Sequence, residues 1–422
     1  MKSSFVAKHG ISLPSSIKKV VLAYSGGLDT SFIVKVLACE LGIDVVTLTL
    51  DFGQKEYTSE NLDAVKKKAL SMGAKKAIVL DVKKEFVDDY VSKAVKANCL
   101  YQGTYPNSTA IGRPLIAKHL AKVAKEEGAQ AIVHGCTGKG NDQVRFEVSI
   151  KAIDPSLVVL APVRDWNISR EEEYEYAKEN SIPLSTSAAT PYSVDANLWG
   201  RAVECGDIEH PQKEVPVDAY SWITPAEKAP DKPAYATIFF ENGVPVAVQE
   251  GSKKIVGGLD SILFLNQLAG KNGVGVIDTM EDRLVGLKSR EFYECPAAMV
   301  ILTCHKDLEK AVLTREENEF KPFIDKAFAE LSYKALWYSP LMDEINAFVD
   351  ASQKKVTGWV KVKLYKGSCT IAGRDSPYLL YDSNLSTYDK SSSFNQADAP
   401  GFISLWGLNT VLAKKIEKKA KA

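Results

Sequence analysis

The sequence predicts an α/β protein, with an N-terminal domain built on a parallel sheet, a second α+β domain and a C-terminal helical tail. Two observations carry that reading. In the first half, short apolar runs alternate with stretches whose apolar residues recur at helical spacing, as in a parallel sheet covered on both faces. After about residue 185 the alternation stops, and a hairpin signal, half-exposed strands and longer helical stretches replace it. These changes divide the 422 residues into an extension over 1–18, a sheet domain over 19–186, a second domain over 187–390 and a tail over 391–422.

Taken in order, Val20-Val21-Leu22-Ala23 reads as a buried strand followed by a Gly pair. Ile33, Val36, Leu37 and Leu41 mark a helix that Gly42 can close. Val45 to Leu50 is a second strand, and Leu62, Val65 and Ala69 mark a helix ending at Gly73. Ala77 to Leu80 is a third strand. Ile116, Leu120 and Val123 mark a helix ending at Gly128, before the strand Ala131-Ile132-Val133. Leu157 to Leu160 is a fifth strand, and Ser169 to Glu172 has capping-box spacing. Ser185 to Ser193 reads as a linker. Asn242-Gly243 between Ile238-Phe239-Phe240 and Val244 to Val248 is a hairpin signal. Val360, Val362 and Leu364 alternate with lysines as a half-exposed strand. Helical stretches cover 259–269 and roughly 315–350, the latter interrupted near Pro340. In the tail, Leu408, Val411, Leu412 and Ile416 recur at helical spacing among lysines.

Composition narrows the function classes. Lys plus Arg and Asp plus Glu both number 53, so the formal net charge is zero, which favours small-molecule substrates over nucleic acid. No segment reaches the roughly 18 apolar residues of a membrane span, and Met1 to Lys19 lacks a signal-peptide core. Cys39, Cys99, Cys136, Cys205, Cys295, Cys304 and Cys369 are scattered, with no C-x-x-C pair. That argues against a disulfide framework and a zinc or iron–sulfur site. A cytoplasmic protein is expected.

Ser25-Gly26-Gly27-Leu28-Asp29-Thr30-Ser31 lies between the first strand and the first helix. Two glycines let the backbone approach a ligand. The N–H groups and dipole of the helix start favour an anion in the turn, and Ser25, Thr30 and Ser31 add hydroxyls. The Walker spacing is absent, so cleavage between the β and γ phosphates is not implied. The loop resembles the signature of the N-type ATP pyrophosphatases, which include argininosuccinate synthase, NAD synthetase, asparagine synthetase, a GMP synthetase domain and tRNA-thiolating enzymes. That resemblance implies an adenine nucleotide alpha hydrolase-like sheet, attack of a substrate oxygen on the α-phosphate of ATP, and loss of pyrophosphate.

A second motif, His134-Gly135-Cys136-Thr137-Gly138-Lys139-Gly140-Asn141-Asp142-Gln143-Val144-Arg145-Phe146-Glu147, follows the fourth strand, at the ligand end of such a sheet. Its glycines leave backbone N–H groups open, Lys139 can offset phosphate charge, and Asp142 and Arg145 share one helical face. Such a set can hold a zwitterionic amino acid. The stretch strongly resembles the argininosuccinate synthase family, as do Asp51 to Gln54, Tyr105 with Thr109 and Arg113-Pro114, Pro191 to Trp199, Gly273 to Gly275, Glu281 to Glu294, and Gly373 to Pro377. The resemblance covers roughly residues 19 to 405.

It implies that ATP, citrulline and aspartate give argininosuccinate, AMP and pyrophosphate through a citrullyl-adenylate. Carried over by residue, the ATP site uses Ala23, Tyr24, Ser25, Gly26, Gly27, Leu28, Asp29, Thr30, Ser31, the backbone near Leu50, and Gly135. Aspartate meets Thr137, Asn141 and Asp142. Citrulline meets Tyr105, Thr109, Asn141, Arg145, Ser193, Glu281 and Tyr293. Asp29, Asn141, Asp142 and Arg145 are the catalytic candidates. Mg²⁺ bridging the phosphates, a homotetramer, and a tail packing on a neighbouring subunit are also implied. The chain departs from the pattern at Ala202, where the family carries a citrulline-binding serine, at Ala110, and at Asp282 after Glu281. Cys136 and His134 read as packing residues before nucleophile or acid–base catalyst. Competing readings are a tRNA-thiolating relative, against which the missing C-x-x-C pair and neutral charge count, and a nucleotide-binding regulator without catalysis, against which the intact polar set counts.

Overall fold

The computed structural model describes residues 5–54, 58–183, 191–389 and 391–421. The chain forms two compact units that divide after Tyr378.

The parallel sheet contains β1 (Lys19–Ala23), β2 (Asp44–Asp51), β3 (Lys76–Asp81), β4 (Ala131–Val133) and β5 (Val158–Leu160), in the order β3-β2-β1-β4-β5. Helices α1 (Leu28–Lys35), α2 (Ser59–Ser71), α3 (Ser108–Glu127), α4 (Asp142–Ile153) and α5 (Arg170–Glu179) accompany it. Strand alternation divides the core between the two faces. Val20 and Leu22 pack with Phe32, Ile33 and Leu37 on one side, and Val21 packs with Leu115 and Ile132 on the other. Each such buried side chain contributes roughly 1.5–3 kcal/mol. The strand order reverses direction at β1, so the carboxyl ends of β1 and β4 open the crevice where ligands of such sheets bind. The predicted punctuation is present: Gly128 ends α3 at φ 62°, and Ser169 and Glu172 form a capping box on α5.

An antiparallel sheet of β6 (Ser193–Asn197), β7 (Gly200–Glu204), β11 (Val276–Asp282) and β12 (Lys288–Glu294) runs in the order β11-β12-β7-β6. A second one, ordered β10-β9-β8-β13-β14, contains β8 (Ala234–Glu241), β9 (Val244–Glu250), β10 (Lys253–Val256), β13 (Gly358–Tyr365) and β14 (Ser368–Asp375). Asn242 (φ 49°) and Gly243 (φ 78°) make the β8–β9 turn. Around these sheets lie α6 (Gly258–Lys271), α7 (Pro296–Val312), α8 (Arg315–Tyr333) and α9 (Pro340–Ser352). The stretch predicted as one interrupted helix over 315–350 is therefore two helices. Each has its own N-cap, Thr314 and Ser339, which is why the break precedes Pro340. Of the predicted linker, 185–190 lies outside the described residues, and Ser193 already opens β6.

Helix α3 packs on both β1 and β6–β7, joining the parallel sheet to the four-stranded one. Trp199, fully buried, donates its indole N–H to the Pro106 carbonyl at 3.1 Å, and Asn197 Nδ2 donates to the Ser108 carbonyl at 2.7 Å. The second unit carries α10 (Ala399–Trp406) and α11 (Leu408–Ala420), neither of which buries a residue. No helix among the described residues is long and apolar enough to cross a membrane.

Candidate active site

The loop after β1 turns at Gly26, whose φ of 78° suits glycine. Helix α1 starts at an uncapped Gly27, and its first helical amide bond is Ser31 N to Gly27 O at 3.1 Å. The amides of Leu28, Asp29 and Thr30 precede that bond and face out of the helix end. Ser25 Oγ sits 3.3 Å from Thr30 Oγ1 and accepts from Gly27 N, so these hydroxyls brace the turn. The Ser31 hydroxyl points inward: the residue is fully buried and meets the Tyr24 hydroxyl at 3.2 Å. This departs from the expectation of three hydroxyls open to an anion. Lys68 on α2 donates to Gly26 O at 2.7 Å, and burial lowers its pKa. It places a cation beside the loop that local sequence did not reveal. Leu50 lies near the carboxyl end of β2, next to β1.

The loop after β4 lies against this one. A Cβ on Gly135 would stand 3.3 Å from Thr30 Cγ2, 3.3 Å from Ile33 Cδ1 and 3.7 Å from Asp29 Cβ. Gln143 pins the glycine turn from beneath, its Nε2 donating to Gly138 O at 2.6 Å and Gly140 O at 3.3 Å. Thr137 and Lys139 are exposed on that turn. On this second loop, burial holds the Cys136 thiol protonated, with Asp142, Arg113, Asp195 and Asp29 as its charged neighbours. His134 is buried beneath, stacked on Phe146, with Nδ1 accepting from Cys136 N at 3.2 Å. Both fit the packing roles expected of them.

Asp142 opens α4 and is clamped. Arg113 donates to it at 2.6 and 2.9 Å, and Arg145 at 2.9 Å. Burial alone would raise its pKa, but the two guanidiniums bring it down to about 2. Arg113 also pairs closely with Asp195 on β6. Arg145 is 5% exposed, so the Asp142–Arg145 pair is an interior one. It lies over the Tyr333 ring at 4.7 Å, and its Nη2 is buried without a partner among the described residues.

Alternation on the four-stranded sheet gathers the rest. In register, Ser193 opposes Glu204, Asp195 opposes Ala202, Ala202 opposes Tyr293, and Glu281 opposes Ser289. Ser193, Asp195, Ala202, Glu204, Glu281, Ser289, Glu291 and Tyr293 therefore share one face. Tyr293 donates to Glu281 at 2.6 Å and stacks on Tyr105 at 4.0 Å. Tyr333, from the end of α8, also donates to Glu281 and accepts from Asn141 Nδ2 at 2.8 Å. Glu281 is 3% exposed, and burial raises its pKa against the pull of these phenols and Arg145. Asn141 Oδ1 accepts from Leu284 N at 2.8 Å, tying the glycine loop to the β11–β12 turn. The Tyr105 hydroxyl accepts from Thr109 N at 2.9 Å at the start of α3.

Two family models match the chain: the arginosuccinate synthase N-terminal HUP domain over residues 19–183 and the C-terminal domain over 192–413. Argininosuccinate synthase of Dictyoglomus turgidum is 51% identical over 395 residues, 94% of this chain and 97% of that one. That of Geobacillus kaustophilus is 52% identical over 404 residues, 96% and 98% of the two chains. The chain belongs to the argininosuccinate synthase family. The predicted residues fall into two neighbouring groups, one around Gly26–Gly135 and one around Glu281–Asn141. Tyr333, Glu204, Glu291, Arg283 and Lys68 were missed as site residues. Each is an ordinary residue in its local sequence and reaches the cleft only through tertiary packing.

Proposed function

We propose that this chain joins citrulline to aspartate at the expense of ATP, releasing AMP and pyrophosphate. The observation that carries the reading is the Gly135 contact, which sets an anion-binding helix start beside a glycine loop continuous with the Asn141–Asp142–Arg145 cluster. The pyrophosphate portion of ATP would lie on the Leu28–Thr30 amides near Lys68. The ureido group of citrulline would lie among Tyr105, Arg145, Ser193, Glu281 and Tyr293, with aspartate at Thr137, Asn141 and Asp142. Ala202 leaves one hydrogen bond of the family pattern unmade.

Attack of the ureido oxygen on the α-phosphorus needs no protein nucleophile, which agrees with the protonated Cys136 thiol. Holding reactants in line can contribute roughly 7–11 kcal/mol. The unpartnered Arg145 Nη2 offers a donor to the citrulline side of the cleft. Among the described residues no cluster of three or more His, Cys, Asp or Glu could hold a metal alone. The donor set fits Mg²⁺ carried mainly by phosphates, with Asp29 as the carboxylate at hand. Glu173, buried against Asp29, has its pKa raised to about 9 by burial and by that neighbour. Bound Mg²⁺ would neutralise charge on the leaving pyrophosphate.

The exposed stripe Leu408, Val411, Leu412 and Ile416 supports the implied homotetramer, with the tail covered by another copy. The test is isotopic: oxygen-18 in the citrulline ureido group should appear in AMP. Turnover without label in AMP would rule the route out.

A further inference from the structure

The second half of this reaction needs a proton acceptor. Aspartate arrives with its α-amine as an ammonium, and the nitrogen has no lone pair for the activated carbon until one proton leaves. The acids of the cleft sort by their surroundings. Asp142 is stripped of basicity by Arg113 and Arg145. Glu281 is 3% exposed, with one oxygen taken by each tyrosine. Asp195, though 48% exposed, is engaged by Arg113, a guanidinium already committed to Asp142 and not one that reaches the Lys139 loop. Glu291 is 3% exposed and accepts from both Arg283 at 2.8 Å and Ser289 Oγ at 2.6 Å.

Glu204 differs. Its side chain is 40% exposed, and among the described residues its one hydrogen bond is from Arg283 Nη2 to Oε2 at 2.6 Å. It lies at the end of β7, opposite Ser193 and on the face that carries Tyr293. The same Arg283 reaches the Lys139 carbonyl at 3.5 Å, and the next residue, Leu284, binds Asn141. Glu204 is thus tethered to the loop assigned above to aspartate.

We propose that Glu204 is the base that takes the first proton from the aspartate ammonium. This rests on the ligase reading above. The ammonium passes one proton to the Glu204 carboxylate, and the freed lone pair forms the C–N bond to the activated ureido carbon. The C–O bond to AMP breaks, its electron pair leaving on the phosphate oxygen. One N–H proton of the adduct follows to that phosphate, which leaves a guanidinium. Glu204 then returns its proton to water.

The surroundings tune the group for this. Burial, Glu291 from β12 and Asp142 from α4 raise its pKa and Arg283 lowers it, for a net value of about 7. A base with that value is half-charged at neutral pH and accepts a proton more readily than an ordinary carboxylate.

Glu204→Gln keeps an acceptor for Arg283 and removes the basic oxygen. Two reactions are compared: citrulline-dependent ATP–pyrophosphate exchange without aspartate, and full turnover with it. Exchange in the variant should stay within about twofold of wild type while turnover falls roughly 10²–10⁴-fold. Hydroxylamine, largely neutral at pH 7, should intercept the adenylate equally well in both proteins. The acidic limb near pH 7 in kcat/KM for aspartate should vanish in Glu204→Gln and return in Glu204→Asp. Full turnover within threefold of wild type, or exchange and turnover falling together, overturns the role. Absence of citrulline-dependent exchange in the wild-type protein would instead sink the ligase reading.

Discussion

Gly135 sets how closely the two loops approach, and adding one methyl there tests whether they share a nucleotide. The new Cβ would lie 3.3 Å from both Thr30 Cγ2 and Ile33 Cδ1, whereas carbon atoms prefer about 3.5–4.0 Å. Ile33 Cδ1 ends a flexible arm and can turn aside. Thr30 is stiff at χ1 and its hydroxyl is held by Ser25, so the loops themselves must part by a few tenths of an ångström. Overpacking of this kind costs about 1–3 kcal/mol of stability. A misplacement of about 1 Å costs roughly 10²-fold in rate, so a few tenths correspond to roughly three- to tenfold. In Gly135→Ala, initial rates at varied ATP should show kcat/KM for ATP lowered by that factor. KM for citrulline and for aspartate should stay within about twofold, and thermal denaturation should show a modest fall in Tm. A folded variant with the wild-type kcat/KM for ATP would refute the shared site.

Three further outcomes are expected. Ala202→Ser restores a hydroxyl on the face of Tyr293 and Ser193, and one hydrogen bond of about 0.5–1.5 kcal/mol should lower KM for citrulline roughly two- to tenfold; an unchanged value would place citrulline elsewhere. Tyr333→Phe removes the donor to Glu281 and the acceptor of Asn141, so urea unfolding should show a loss of about 1–3 kcal/mol, with a raised KM for citrulline; wild-type values of both would remove Tyr333 from the site. Asp142, 22% exposed, has its pKa lowered from 3.8 to about 2, so its contribution is present above the unfolded value and is lost as pH falls through the folded one. Wild-type stability should therefore fall by an extra amount, about 2 kcal/mol, between roughly pH 5 and 2, and Asp142→Asn should lack that increment; identical acid titrations of the two proteins would count against the clamp.

What the sequence disclosed follows from how local each signal is. The strand, glycine pair and helix around Ser25–Ser31 are contiguous, and so are Gly135–Arg145, so both loops could be recognised before any fold was known. Asn242-Gly243 and the Ser169–Glu172 box were legible for the same reason. Tyr333 was not. It ends a helix far along the chain, yet bridges Asn141 and Glu281. The β11–β12 hairpin was also unannounced, because Asp282 to Lys288 lacks the Asn-Gly type of turn signal. Its partnership with β7 is what turns Glu204 and Glu291 toward the cleft. Ser31 shows the converse. Its type suggests a phosphate donor, but helical spacing carries it to the buried side of α1 against Tyr24.

The charges in the cleft are segregated, and the segregation bears on the order of events. On the four-stranded-sheet side, Asp142, Asp195, Glu204, Glu281 and Glu291 outnumber Arg113, Arg145 and Arg283. On the other side lie the helix start of α1 and Lys68. A triphosphate is repelled from the first region and drawn to the second, whereas an amino acid's ammonium has the opposite preference. The raised pKa values of Glu204 and Glu291 come first from burial and then from the crowding of these acids, and an incoming ammonium relieves the second by adding positive charge. Binding of aspartate should therefore lower the pKa of Glu204, and transfer of a proton from that ammonium would raise it again as charge leaves the nitrogen. The acid excess thus serves capture and deprotonation in sequence.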